Sequence, residues 1–245
     1  MGGSILQLEP DIFKLEDTSV WSFKIRGSWA THKGDYRGNC PPQVPRNLIL
    51  KYTREEDIVL DPFCGSGTTL IECKLLRRKS IGIDTNINAL KISRERLKFS
   101  FNKEYNPKLV KGSAVNLKLI VNEKIDFIFA HPPYADVIKY SENLKEDLSR
   151  LGLEEFLKQI GLFANECFRV LKKGKVCSIL IGDIRKKGNV IPLGFYIMNI
   201  FNQAGFITKE IIIKEQHNCK MTEYWKSKRP DFYLLAHEYV LVFKK

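Results

Sequence analysis

Two short stretches hold side chains able to do chemistry. The first is Asp61-Pro62-Phe63-Cys64-Gly65-Ser66-Gly67-Thr68-Thr69. Its glycines leave the backbone bare, so a ligand can approach it closely. Asp84 follows seventeen residues after Gly67, at the end of Ile81-Gly82-Ile83-Asp84. A carboxylate in that place is positioned to accept hydrogen bonds from ribose hydroxyls. Leu70 stands where a dinucleotide fingerprint needs its third glycine, and no Gly-Lys-Ser/Thr follows as in a P-loop. The implied ligand has a ribose and is not gripped through a pyrophosphate. The second stretch is His131-Pro132-Pro133-Tyr134. A neutral imidazole offers one acceptor nitrogen and an imidazolium none, so chemistry that relies on His131 is sensitive to pH. Adjacent prolines, with fixed φ and no N–H, make the loop stiff.

These residues need elements to position them. Asp57-Ile58-Val59-Leu60 is an apolar, β-branched run and predicts a buried strand before the glycine turn. Leu70, Cys73 and Leu76 then return at helical spacing. Strand, glycine turn and helix together hold a nucleotide-like ligand at the carboxyl end of the strand. Further strands are expected at 80–84, 107–112, 125–130 and 176–183, with a closing hairpin at 206–214 and 233–243. Helices are expected from Pro45, over 86–101, over 153–171 ending in Lys172-Lys173-Gly174-Lys175, and over 192–204. Trp21-Ser22-Phe23-Lys24-Ile25 alternates like a short strand, and the rest of residues 1–30 carries no readable function. Residues 135–151 read as a polar segment, either a lid or a surface loop.

With Asp61 to Thr68 and Pro132 to Tyr134 in this order, the sequence resembles the S-adenosylmethionine-dependent DNA amino-methyltransferases of the N6-adenine and N4-cytosine type. Their first motif often reads Asp-Pro-Phe-x-Gly-Ser-Gly-Thr. The resemblance covers about residues 36–245 and implies an α/β, Rossmann-like class I methyltransferase fold. Its sheet would have seven mostly parallel strands, helices on both faces and one reversed strand near the edge. Residues 36–245 would form one catalytic domain, residues 1–35 an extension, with no large separate target-reading domain. Asp61, Pro62, Phe63, Gly65, Gly67, Thr68 and Asp84 would hold the cofactor S-adenosylmethionine. Pro42 and Pro45, in a turn-rich stretch before a helix, would close over its methionine end or serve as a plain connection. Ser113 stands where the family often has an Asp for the cofactor's adenine.

In those enzymes the position of His131 is Asp, Asn or Ser, followed by Pro-Pro-Tyr or Pro-Pro-Phe. The chemistry explains the pattern. A nucleobase amine is a poor nucleophile because its lone pair is delocalised, and acceptors aimed at both its hydrogens free that lone pair. His131 would be one acceptor and the Pro132 carbonyl the other, with Pro133 stiffening the loop and Tyr134 stacking on a base turned out of duplex DNA. Histidine is the departure from the pattern, and it predicts activity falling as pH drops through about 6 to 6.5. The competing reading of His131 is a loop histidine in a protein that has lost activity.

Composition limits the partners. The chain has 245 residues, 44% of them apolar, and a net charge of +12, which favours a polyanion. Basic residues gather in two segments, Arg185-Lys186-Lys187 and the loop with Lys220, Trp225, Lys226, Lys228 and Arg229, which suit phosphate contact and base stacking. The six cysteines have no metal-type spacing and read as reduced and cytoplasmic, so no metal is expected. No run is long enough to span a membrane. The expected activity is site-specific methylation of cytosine N4 or adenine N6 in DNA, as in restriction–modification. A homodimer or a separate specificity subunit would supply sequence reading. Two alternatives stay open: an RNA guanine-N2 or amino methyltransferase, and a catalytically silent cofactor- and DNA-binding protein.

Overall fold

The computed structural model describes residues 7–122, 124–134, 151–218, 224, 226–228 and 231–245. Its eight-stranded sheet runs β1 (Val20–Trp21), β9 (Ile207–Glu215), β10 (His237–Lys244), β6 (Leu171–Ile181), β5 (Ile125–Ala130), β2 (Ile58–Asp61), β3 (Lys79–Asp84), β4 (Lys108–Lys111). Only β10 is reversed, pairing antiparallel with both β6 and β9. The fold is thus the expected Rossmann-like one with eight strands instead of seven. The extra strand is β1, which pairs parallel with Ile213 and Lys214. The short strand expected over 21–25 is thus realised one residue earlier and only as Val20–Trp21, held because Trp21 is buried.

Period-two alternation decides which face each strand side chain covers. In β6 and β10, Cys177, Ile179, Ile181, Leu241 and Phe243 join the core under α4 (Leu153–Val170) and α5 (Leu193–Gln203). Val176, Leu180, Val240 and Val242 turn the other way, toward α1 (Gln43–Tyr52). Both faces are covered, which explains why these strands read as continuous apolar runs. A third cluster packs α2 (Thr68–Leu75) and α3 (Ile87–Arg96) against Trp29 and Ala30.

Several boundaries differ from expectation: α3 stops at Arg96 instead of 101, and β10 starts at His237 instead of 233. Lys172 to Lys175 lie inside β6 and do not cap α4. The reason is pairing at the foot of the sheet. Lys172 Nζ donates to both Asp126 oxygens at 2.9 and 2.8 Å, and Lys175 Nζ reaches Asp126 at 3.2 Å and Asp57 at 3.3 Å. The basic segment 185–189 is also not a free loop, because it forms a small hairpin of β7 (Ile184–Lys186) and β8 (Asn189–Ile191).

The segment before α1 is tied down by a buried polar cluster on α2. Glu72 is fully buried and accepts from Trp29 Nε1 at 2.7 Å, His32 Nε2 at 2.6 Å and Arg46 at 2.8 Å. Arg46 also meets Glu9, and its guanidinium lies 5.1 Å from the Phe13 ring. Arg96 pairs with Asp35. These bonds fix the stretch that leads into residues 36–40.

Candidate active site

β2 ends at Asp61 and the chain turns at Gly65 and Gly67, whose φ angles are +51° and +87°. Both lie in the left-handed region that glycine adopts at little cost. A Cβ at Gly65 would stand 3.2 Å from the Tyr36 ring, and one at Gly67 would stand 2.9 Å from Ser93 Oγ. Ser93, on α3, also donates from Oγ to the Gly65 carbonyl at 2.8 Å. The loop is further clamped by Asp84, whose Oδ2 accepts from the Gly65 N–H at 2.9 Å and Oδ1 from the Asn86 N–H at 2.8 Å.

Above this loop lies a cleft whose empty space, open mouth included, is about 960 Å³. The cleft brings together Asp61, Pro62, Phe63, Gly65, Thr68, Asp84, Ser113, His131 and Pro133. Of the other sequence candidates, Gly67 lies behind the loop as the residue before α2. Pro42 precedes α1 and Pro45 is buried in its first turn, so neither lines the cleft. Its wall is instead Tyr36 to Cys40, which the sequence showed only as turn-rich. Pro132 is buried, and Tyr134 stands beside the cleft with its ring 6.0 Å from that of His131.

Burial shapes the electrostatics. Desolvation pushes the Asp61 carboxyl up to about 7, against hydrogen bonds from Thr69 and the Phe63 N–H. Nearby Cys40 is pushed up to about 12 for the same reason. His131 goes the other way. Desolvation holds its imidazole below the usual 6.5, and Glu238 opposes that. No described residue hydrogen-bonds the His131 ring, so its acceptor nitrogen is available to a ligand in the cleft.

The cofactor S-adenosylmethionine fits this cleft by two observations. The Gly65 turn would be filled by any side chain. The Ser66 hydroxyl, 1% exposed, has no hydrogen-bond partner among the described residues and belongs to the cleft's lining. No cluster of His, Cys, Asp or Glu able to hold a metal occurs among the described residues. The five described cysteines are buried and unbridged.

The basic candidates divide. Arg185 is a brace: it donates to the Gly188 carbonyl at 2.6 Å and the Tyr233 carbonyl at 2.9 Å, and stacks 4.2 Å from the Phe232 ring. Lys186, Lys187, Lys226 and Lys228 are exposed. Lys220, Trp225, Arg229 and the segment 135–150 lie outside the described residues. The hairpin β7–β8 follows the carboxyl end of β6, so Lys186 and Lys187 lie toward the cleft end of the sheet.

The profile of the DNA methylase family, which covers N6 and N4 amino-methyltransferases, matches residues 9–95 and 125–245. The chain belongs to this family. Among curated relatives, the type II methyltransferase M2.DpnII of Streptococcus pneumoniae is 43% identical over 78 residues, covering 32% of this chain and 29% of that protein. M.HpaI of Haemophilus parainfluenzae is 38% identical over 85 residues, 35% of this chain and 27% of that one. A tRNA (guanine(10)-N2)-dimethyltransferase of Methanothermobacter thermautotrophicus is 32% identical over 120 residues, 49% and 34% of the two chains. The matches thus span about a third of these relatives' lengths. In structure, the chain is similar to TrmN from Thermus thermophilus (TM-score 0.57, 20% identity, 85% of this chain and 50% of that one). It is similar also to an S-adenosylmethionine-dependent methyltransferase from Methanosarcina mazei (TM-score 0.55, 15% identity, 81% and 96%). No helix among the described residues is long and apolar enough to cross a membrane.

Proposed function

We propose that the protein transfers a methyl group from S-adenosylmethionine to the exocyclic amine of a DNA base, N4 of cytosine or N6 of adenine. The observation that carries this is one cleft lined both by the glycine turn and by His131 and Pro133. When bound, the cofactor supplies an electrophilic methyl group on a sulfonium. Asp84, whose carboxylate lies at the end of β3 beside the glycine turn, accepts the ribose hydroxyls. Asp61, buried and poised to ionise, favours a ligand carrying positive charge. Ser113 and the backbone beside it face the cofactor's adenine, and residues 36–40 close the other side.

Neutral His131 accepts one amine hydrogen through its bare ring nitrogen and the Pro132 carbonyl accepts the other. Two acceptors localise the amine's lone pair and raise its nucleophilicity. Tyr134 bears on the base turned out of the duplex, and Lys186, Lys187, Lys226 and Lys228 contact phosphates. Residues 36–245 act as one catalytic domain in the cytoplasm, to which Trp29, His32 and Asp35 anchor the preceding segment. A second copy or another subunit reads the target sequence.

The test is transfer of tritiated methyl to genomic DNA and to tRNA, followed by mass spectrometry of the nucleosides, with His131→Ala as control. N4-methylcytosine or N6-methyladenine from DNA supports the reading. Label on tRNA alone favours the RNA enzyme, to which the tRNA methyltransferase relative points. Cofactor binding with no label on either would mark a silent protein.

A further inference from the structure

Behind the His131–Tyr134 loop, on the side away from the cleft's glycine turn, lies a charged pair the proposed reaction does not use. Glu238 on β10 and Lys214 on β9 are 8% and 6% exposed, and they face each other across the antiparallel ladder. Lys214 Nζ donates to Glu238 Oε2 at 2.7 Å. The other carboxylate oxygen, Oε1, accepts from the Tyr134 hydroxyl at 2.9 Å. That hydroxyl in turn accepts from the Gly182 N–H at 3.0 Å. Gly182 lies directly against this pair. A Cβ there would sit 3.4 Å from both Tyr134 Oη and Glu238 Cγ. The phenol oxygen is therefore held by β10 and by the residue that follows β6, at the end of the sheet where the cleft opens.

A buried ion pair adds little net stability, because desolvating two charges offsets most of their attraction. An apolar pair would fill the same space in the ladder. What Lys214 and Glu238 provide instead is an acceptor that stays ionised and immobile. Its bond to the phenol is charge-assisted and so stronger than a bond between neutral groups. A ring that must meet a base turned out of a duplex gains most from being held in place beforehand, since the base then orders nothing on arrival.

We propose that Glu238, held by Lys214, is a positioning residue for the target base: it acts through the Tyr134 hydroxyl to set the ring and the Pro132–Pro133 turn against which the base rests. The inference rests on the reading of His131 to Tyr134 as the base site. It assigns Glu238 no contact with the cofactor or the reacting atoms.

The test is a double-mutant cycle. Glu238→Gln alone would strand the Lys214 charge, so it is made with Lys214→Met, both in the wild-type protein and in Tyr134→Phe, which keeps the ring and loses the hydroxyl. Single-turnover methyl transfer to DNA is measured beside affinity for S-adenosylhomocysteine. Chains carrying ¹³Cζ-tyrosine report the ring by NMR, the Tyr134 signal being the one that Tyr134→Phe removes. In the wild-type background the paired variant is expected to slow transfer about tenfold, the size of losing one charge-assisted bond. Affinity for S-adenosylhomocysteine should stay within about twofold and the Tyr134 signal should move or broaden. In the Tyr134→Phe background the same pair should change transfer by less than about twofold. Equal losses in both backgrounds, or an unmoved Tyr134 signal, would overturn the tether. If the wild-type protein labels no DNA, the base-site reading fails at that first measurement and the positioning role falls with it. A Tyr134 signal that still moves would then show a purely structural bond.

Discussion

Replacing Asp61 with Asn should make the ligand-free protein more stable while weakening its hold on the cofactor. The folded carboxyl keeps its proton up to about pH 7, whereas the same group in an unfolded chain releases it near 3.8. Between those values the folded state binds more protons, so wild-type stability declines as pH rises. Each tenfold change in proton affinity is ~1.4 kcal/mol, so a displacement from 3.8 to about 7 costs the wild-type fold about 4 kcal/mol above neutral pH. Asp61 is only 4% exposed, and solvent screens little of this. Asn keeps the acceptor for the Phe63 N–H but must place an amide, so a gain of about 2–4 kcal/mol is expected at pH 8. Only roughly 1.5 kcal/mol of the same linkage operates at pH 5, and almost none below pH 4. Urea unfolding of both proteins at pH 4, 5 and 8 reads the gap directly. Calorimetry with S-adenosylhomocysteine should show the variant binding more weakly, and the stability gap narrowing as ligand saturates the wild type. A stability gap that is constant across this pH range would refute the account of a carboxyl strained by burial.

His131 should give a rate that falls with decreasing pH around a midpoint below 6.5, because the neutral ring is the active form and burial lowers its proton affinity; a single-turnover profile with its midpoint above 6.5 would contradict this. Glu72→Ala should cost about 3–5 kcal/mol of stability by leaving Arg46, His32 and Trp29 without their acceptor, measured by urea unfolding, where a loss under about 1 kcal/mol would show the cluster to be dispensable. Lys186→Ala with Lys187→Ala should lower the slope of log affinity for DNA against log salt by about 0.9 for each phosphate that these two lysines neutralise. Arg185→Ala should leave that slope unchanged and instead expose the 231–236 segment to proteolysis, since this arginine braces the Tyr233 carbonyl.

Where chemistry is packed into neighbouring residues, the sequence was readable. Asp61 to Thr68 and His131 to Pro133 each form a local pattern whose backbone needs are met by glycine and proline. Strands β2 and β5 announce their tips through those glycine and proline turns. Contacts that link distant residues left no such mark. The bonds of Glu72 to Trp29 and His32 span 43 and 40 positions, and the bond of Tyr134 to Glu238 spans 104. Lys214 and Glu238 look like ordinary polar residues at the ends of apolar strands. Arg185 was read by its charge as a phosphate ligand, yet its hydrogen bonds all go to carbonyls within the chain. The lysines at 172–175 suit a helix C-terminus by local rules, but carboxylates at 57 and 126 claim them for an extended strand.

The reversed strand β10 lies between β6 and β9, both of which leave the ribosome before it. Until it docks, β6 shows an open edge, and the Tyr134 hydroxyl has no carboxylate to meet. The glycine turn, Asp84 and α3 are complete long before that point, within residues 58–96. A nascent chain can therefore form the glycine-turn side of the cleft first. The Tyr134 side of the cleft gains its carboxylate anchor only when the sheet is closed by its one inverted member.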